Sequence, residues 1–349
     1  MSRVPLRVLV ADDSPTARRR LIEALTADAD FEVVGEASNG EEAIARCAEL
    51  HPDVVMLDLE MSRLDGVRVT EAIMTTRPTP ILIVSADDPR SPGVQSAIAA
   101  GAVDALAKRG PAETDAAFDL RLLRAVRLVS KVRVITRRVA RPVTAVTAAD
   151  PQTRRELVAI GGSTGGPSAV VDLLKGLPRD FPAPILLVLH LGASFGYGFS
   201  EWLGSVTPLR VVEAVHGAAL TAGVVHVCPP DRHLVLRGDR IALTSDPERH
   251  FCRPSVDVLF ESVAAEVGAA AIGCLLTGIG RDGAAGLLRM RQAGALTLAQ
   301  DESSSTVYGM PRAAMELGAV TFAGSPTELA ARLTSAVRVR RDPTGTFRR

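Results

Sequence analysis

Compact apolar runs alternate along this chain with stretches whose apolar residues recur every third or fourth position. In residues 1–127 the runs LRVLVA, FEVVGEA, DVVMLDL, PILIVSA and AVDALAK predict five β-strands. TARRRLIEALTA, EEAIARCAEL, VRVTEAIM and a stretch near 114–130 predict helices between and after them. Strands that are apolar on both faces and separated by helices imply βαβ units and a parallel sheet covered on both sides. The alternation resumes over 156–340, where ELVAIG, PILLVLH, LRVVEAV, AIGCLLT, ALTLAQ and AVTFAG read as sheet strands. HLVLRGDRIALT reads as a hairpin turning at Gly238-Asp239. In AAGAVDAL, QAGALTLA and ELGAVTFA a glycine follows a helical stretch and precedes an apolar run, as a left-handed helix stop feeding a strand requires.

The pattern breaks once. Residues 121–141 hold eight Lys or Arg and no acid, and PVTAVTAADPQTRR after them is short of large apolar groups. This predicts a first α/β domain over 1–127, a basic linker over 128–155, a second α/β domain over 156–340 and a tail over 341–349. The fold class is therefore α/β, with two doubly wound domains, the second mainly parallel with an added hairpin.

Composition narrows the function classes. The formal net charge is zero, so no global attraction to nucleic acid or membrane is expected. The apolar run near the N-terminus is short and meets Asp12 and Asp13, and no later run approaches a membrane span. Cys47, Cys228, Cys252 and Cys274 show no paired spacing, which fits free thiols in a reducing, cytoplasmic setting and not a zinc site.

In α/β sheets ligands collect beyond the carboxyl ends of the strands. The first strand ends in Asp12-Asp13, the third in Asp58, the fourth in Ser85 and the fifth in Lys108. Clustered carboxylates repel, so three of them call for a cation, and hard oxygen ligands suit Mg²⁺. A carboxylate beside that charge is a nucleophile for phosphorus, giving an aspartyl phosphate that a hydroxyl and an ammonium could hold. The pattern over residues 5–127 resembles the receiver domain of two-component response regulators, a flavodoxin-like fold. The resemblance implies Asp58 as phosphoacceptor, Asp12 and Asp13 as metal ligands, Ser85 as switch hydroxyl and Lys108 as phosphate contact. Ser62, Ala105 and Arg109 depart from the family's usual residues at positions tied to signal relay.

The second domain opens on AIGGSTGGPSAV, residues 159–170. A dinucleotide loop would need glycine where Ser163 stands, and an acidic residue where the next strand ends in His190. GGSTG instead satisfies G-x-S-x-G: strand, sharp turn, exposed hydroxyl, then a helix whose N-terminal N–H groups can face an oxyanion. Such a serine needs a base and an orienting acid. His190 ends the next strand, on the same sheet edge as Ser163, whereas His226 and His233 read as structural histidines within β-runs. Asp282, in LLTGIGRDGAAGLL, follows another buried-looking strand and supplies the acid.

GGSTGG, the strand-end histidine, RPSVDVLF, LLTGIGRDGA and AQDESSSTVYGMP together resemble the chemotaxis protein-glutamate methylesterase (CheB) family, whose architecture also carries an N-terminal receiver. The resemblance implies Ser163 as nucleophile, His190 as base, Asp282 as acid and the Ile279 backbone N–H as oxyanion contact. It implies demethylation of glutamate γ-methyl esters and deamidation of glutamine on methyl-accepting chemotaxis receptors, with no cofactor in this domain. A chemotaxis histidine kinase would phosphorylate Asp58 and so lift inhibition by the receiver. LHLG at 189–192 departs from the family's usual rim. Two competing readings are a DNA-binding response regulator and a binding module without turnover.

Overall fold

The computed structural model describes residues 4–88, 91–111, 113–130, 132, 155–191 and 198–337. Most of the expected basic linker, the whole expected tail over 341–349 and Gly192 of the LHLG rim lie outside these residues. The chain divides into two compact units.

In the first unit β1 (Leu6–Ala11), α1 (Pro15–Thr26), β2 (Phe31–Ala37), α2 (Gly40–Leu50), β3 (Val54–Leu57), α3 (Gly66–Thr76), β4 (Ile81–Ser85), α4 (Pro92–Ala100), β5 (Asp104–Ala107) and α5 (Asp115–Val129) follow one another. The strand order is β2-β1-β3-β4-β5, with every pair parallel. Order reverses between β1 and β3, so a crevice forms at their carboxyl ends. Alternation along each strand divides the core. Val8, Val10, Met56 and Leu82 pack with Leu21, Leu25 and Leu122, while Leu9, Leu57, Ile81 and Ile83 pack with Val69, Ile73 and Val94.

Side-chain caps start these helices. Ser14, Asn39, Asp65, Ser91 and Thr114 each accept from an N–H of the first turn. Helix α4 was not among the helices predicted from the pattern. Its PGVQSAIAA is short and rich in small residues, so it lacks a strong apolar stripe; burial of Val94, Ala97 and Ile98 and the Ser91 cap hold it.

After α5 the chain continues with β6 (Leu157–Gly162), α6 (Gly166–Lys175), β7 (Ile185–Leu189), α7 (Phe199–Val206), β8 (Arg210–Glu213), β9 (Val224–Val227), β10 (His233–Arg237), β11 (Arg240–Thr244), α8 (Val256–Glu266), β12 (Ala271–Leu275), α9 (Ala284–Gln292), β13 (Leu296–Gln300), α10 (Met310–Glu316), β14 (Phe322–Gly324) and α11 (Pro326–Ala336), all in the second unit except the first half of α7, which is grouped with the first. Seven strands form an all-parallel sheet in the order β14-β13-β12-β6-β7-β9-β8. The six predicted strands are all present, and the short run VVHV adds the seventh between β7 and β8. β10 and β11 form the separate antiparallel hairpin, pairing Arg237 with Arg240 across Gly238-Asp239 as expected.

Helix α8 crosses the face of β6, and its Val256 fills the space a side chain at 161 would need: a Cβ there would come within 2.8 Å of Val256 Cγ2. Helix α9 approaches α8 through Gly286, where a Cβ would lie 2.7 Å from Phe260 Cβ. Val256, Leu259, Phe260, Leu287 and Met290 join Ala159, Leu186, Leu275 and the hairpin's Leu234 and Ile241 in one core.

Candidate active site

Strands β12, β6 and β7 are neighbours in the sheet, and the chain leaving each carries one predicted residue. Ser163 directly follows β6, His190 directly follows β7, and Asp282 stands in the loop between β12 and α9.

The serine turn is tightly made. Ser163 N–H donates to Thr277 O at 2.9 Å, and its carbonyl accepts from Gly166 N–H at 2.7 Å. Gly165 takes φ 77°, a left-handed angle that costs other residues about 1–2 kcal/mol. Thr277 braces the turn by donating Oγ1–H to Thr164 O at 3.0 Å, and its own N–H donates to Gln300 Oε1 at 2.9 Å. Helices α6 and α9 begin on the left-handed glycines Gly165 and Gly283 and have no side-chain cap. Ser163 itself is partly exposed. Ile279, in the loop after β12, is exposed, and among the described residues its N–H makes no backbone hydrogen bond.

Asp282 is buried and saturated. Its Oδ1 accepts from Ser255 Oγ at 2.8 Å and Asp257 N–H at 3.0 Å; its Oδ2 accepts from Val256 N–H at 2.7 Å and pairs with His190 Nε2 at 2.7 Å. The carboxylate thus sits on the N-terminus of α8, where peptide dipoles favour negative charge. Burial alone would raise its pKa, but the bonds to His190, Asp257 N–H and Ser255 outweigh this and hold it below the usual carboxylate value. For His190, burial favours the neutral ring. The hydrogen bond to Asp282 and the contact with Cys252 overcome that and push its pKa up to about 9.

The structure joins the acid to the imidazole but does not complete the expected chain. Among the described residues no hydrogen bond links the Ser163 hydroxyl to His190; the ring's Nδ1 instead faces Cys252 Sγ at 3.7 Å. Packing around a ring already anchored at Nε2 decides this, and nothing in the spacing of the sequence encodes it.

In the first unit, Asp12 and Asp58 are buried at the ends of β1 and β3, and Asp13 is exposed beside them. Lys108 Nζ lies 2.8 Å from both Asp12 Oδ2 and Asp58 Oδ2. Burial raises the Asp58 pKa despite that ammonium. Ser85 is buried at the same edge and accepts from Asp87 N–H at 3.1 Å. Ligand oxygens of Asp12, Asp13 and Asp58 all lie within 4.8 Å of one another.

Residues 158–333 match the family model for CheB methylesterase. The chain belongs to the CheB methylesterase family. Residues 8–117 match the response regulator receiver domain. A relative in Anaeromyxobacter dehalogenans (strain 2CP-C), named protein-glutamate methylesterase/protein-glutamine glutaminase 3, is 43% identical over 340 residues, covering 95% of this chain and 99% of that protein. A Geobacter metallireducens relative named protein-glutamate methylesterase/protein-glutamine glutaminase 4 is 41% identical, covering 95% of this chain and 98% of its own. The crystal structure of the Thermotoga maritima CheB methylesterase catalytic domain is similar, with a TM-score of 0.51 and 30% identity, over 53% of this chain and 100% of that one.

Around this CheB-family site stand residues to which motif spacing assigned no role. Ser255 and Asp257, inside the motif RPSVDVLF, supply two of the four donors to Asp282; the signal was an N-cap serine placed just before an apolar run. His250 Nε2 lies 3.0 Å from Asp257 Oδ2, forming a second imidazole–carboxylate pair. His250, Asp257 and Asp282 lie close enough to hold a metal ion, but all four acceptor positions of Asp282 are already used, so the cluster reads as a polar network bracing the acid. His233, expected to be structural, accepts from Ser255 N–H at 3.1 Å and tethers the hairpin to α8. His226 is buried in β9. No helix among the described residues is long and apolar enough to cross a membrane.

Proposed function

We propose that this chain hydrolyses glutamate γ-methyl esters, and deamidates glutamines, on methyl-accepting chemotaxis receptors through Ser163, His190 and Asp282. The observation that carries this reading is the 2.7 Å pair between His190 Nε2 and a fully satisfied Asp282, on the sheet edge that also presents Ser163. Ser163 Oγ attacks the ester carbonyl, and its proton passes to His190 Nδ1, since Nε2 is committed to Asp282. The developing oxyanion sits against the Ile279 N–H. His190 returns the proton to the departing methanol, or to ammonia from glutamine. Water then cleaves the acyl-enzyme by the reverse proton route and leaves glutamate.

Asp58 is the phosphoacceptor, a chemotaxis histidine kinase its donor, and Lys108 and Ser85 contact the phosphoryl group. Asp12, Asp13 and Asp58 would hold Mg²⁺: their close-set hard oxygens fit it. When bound, the ion offsets negative charge as phosphate meets carboxylate. Phosphorylation at Asp58 raises ester hydrolysis.

Methanol release from methylated receptor tests the reading. Ser163→Ala should lose on the order of 10⁴-fold or more in rate. Near-full turnover by that variant would remove Ser163 from the reaction.

A further inference from the structure

Asp282 occupies Nε2 of His190 and leaves one ring nitrogen for the serine proton. That nitrogen, Nδ1, has a sulfur 3.7 Å away, on Cys252. Of the four cysteines only this one is not buried. Its position is built. Arg249 and Cys252 exchange both backbone hydrogen bonds, at 3.1 and 2.9 Å, around His250 and Phe251 at φ 53° and 60°. Such a two-residue turn normally takes Asn or Gly. With His and Phe each left-handed residue costs about 1–2 kcal/mol, so tertiary contacts must hold it. Arg249 forks onto Glu261 at 2.6 and 2.8 Å, and Arg253 onto Asp231 at 3.0 and 2.7 Å, tying down both flanks.

We propose that Cys252 is a positioning residue of this site: in the resting state its sulfur takes the Nδ1 side of the His190 imidazole and competes with Ser163 for it. The thiol donates to a neutral ring, or, after one proton moves from sulfur to nitrogen, the thiolate accepts from the imidazolium. In both forms the Nδ1 lone pair is engaged and unavailable to the serine. Turnover requires the Ser163 hydroxyl to replace the sulfur there. The titratable and charged groups around the ring are Asp282 at Nε2 and Cys252 at Nδ1, with Asp257, His250 and Arg249 behind Asp282. The inference rests on His190 being the base.

The test compares full-length wild type, Cys252→Ala and Cys252→Ser. Two readouts are taken: the His190 ring-proton NMR titration, and kcat/KM for methanol release from pH 6 to about 10. In Cys252→Ala the His190 midpoint should fall by about one pH unit, and the acid limb of kcat/KM should follow it, raising activity near neutrality up to about tenfold. Cys252→Ser keeps a hydrogen-bonding hydroxyl that does not ionise in this range, so its midpoint should lie between the other two. An unchanged His190 midpoint in Cys252→Ala overturns the proposal, as does a uniform fall in rate with no shift of the limb. His190→Gln separates the two readings. Retained activity there ends the assignment of the base; lost activity with no shift in Cys252→Ala ends only the role of the cysteine.

Discussion

His190 Nε2 and Asp282 Oδ2 lie 2.7 Å apart with 13% and 3% of their side-chain surfaces exposed. Little water competes for that contact, so the carboxylate fixes both the tautomer and the direction of the ring. The same carboxylate closes the N-terminus of α8, so acid and scaffold depend on one group.

Asp282→Asn tests both roles together. All four of its partners donate, and an amide would turn N–H groups toward donors. Methanol release should fall by about 10⁴-fold, and unfolding free energy by about 1–3 kcal/mol. Ser255→Ala, which removes one donor and the α8 cap, should cost about 1 kcal/mol in the same denaturant titration while leaving most of the activity.

The raised pKa of His190 sets opposite pH trends for activity and stability. A base held up to about 9 gains its neutral form as pH rises, so kcat/KM should climb from pH 6.5 toward 9. The stability from its ion pair is fully present below the unfolded value of 6.5 and is lost as pH rises through about 9. Asp282 is shifted down from 3.8, so its contribution stands above that value and is lost as pH falls below it. Thermal melts should therefore show this part of the stability of the second unit declining between pH 6.5 and 9, while methanol release increases. A flat rate profile over that window contradicts the pairing.

Gly278→Ala probes how closely the serine turn is packed. A Cβ there would lie 2.7 Å from Ser163 Cβ and would also strike Met310 Sδ. Shifting the nucleophile by about 1 Å is worth about 10²-fold in rate. The expected result is that loss in kcat with the receiver still phosphorylated normally. Full activity would mean that Met310 and Ser163 yield without cost.

Lys108→Ala examines the first unit. The substitution leaves Asp12 and Asp58 buried without the ammonium 2.8 Å from each. Without divalent cation, stability near neutral pH should fall by about 3–5 kcal/mol, and millimolar Mg²⁺ should restore part of it. Acetyl phosphate should label the wild type at Asp58 only while Mg²⁺ is present; labelling that survives chelation would remove the metal from the reading.

The alternation of strands and helices is written in the chain. Uninterrupted apolar runs must be covered on both faces, and helical periods between them leave few alternatives to parallel sheets. The strand ends then place Asp12, Asp58, Ser163 and His190 at carboxyl edges, because a residue leaving a strand has its location fixed by the strand. Helix α4 escaped because small residues give a weak period, and VVHV, legible as a β-run, was not placed in the sheet because four residues carry too little signal to specify a neighbour.

Which groups touch is set by the folded packing. Asp282 reaches His190 across 92 positions of chain and meets the N-terminus of α8 there, a convergence set by sheet order and by the close passage of Val256 over Gly161. The placing of Cys252 at Nδ1, and the lack of a bond from Ser163 to that nitrogen, depend on a left-handed turn held by two distant carboxylates, Glu261 and Asp231. Local sequence carries propensity and period, whereas contacts a few ångströms long between remote residues are fixed by packing, which no single segment contains.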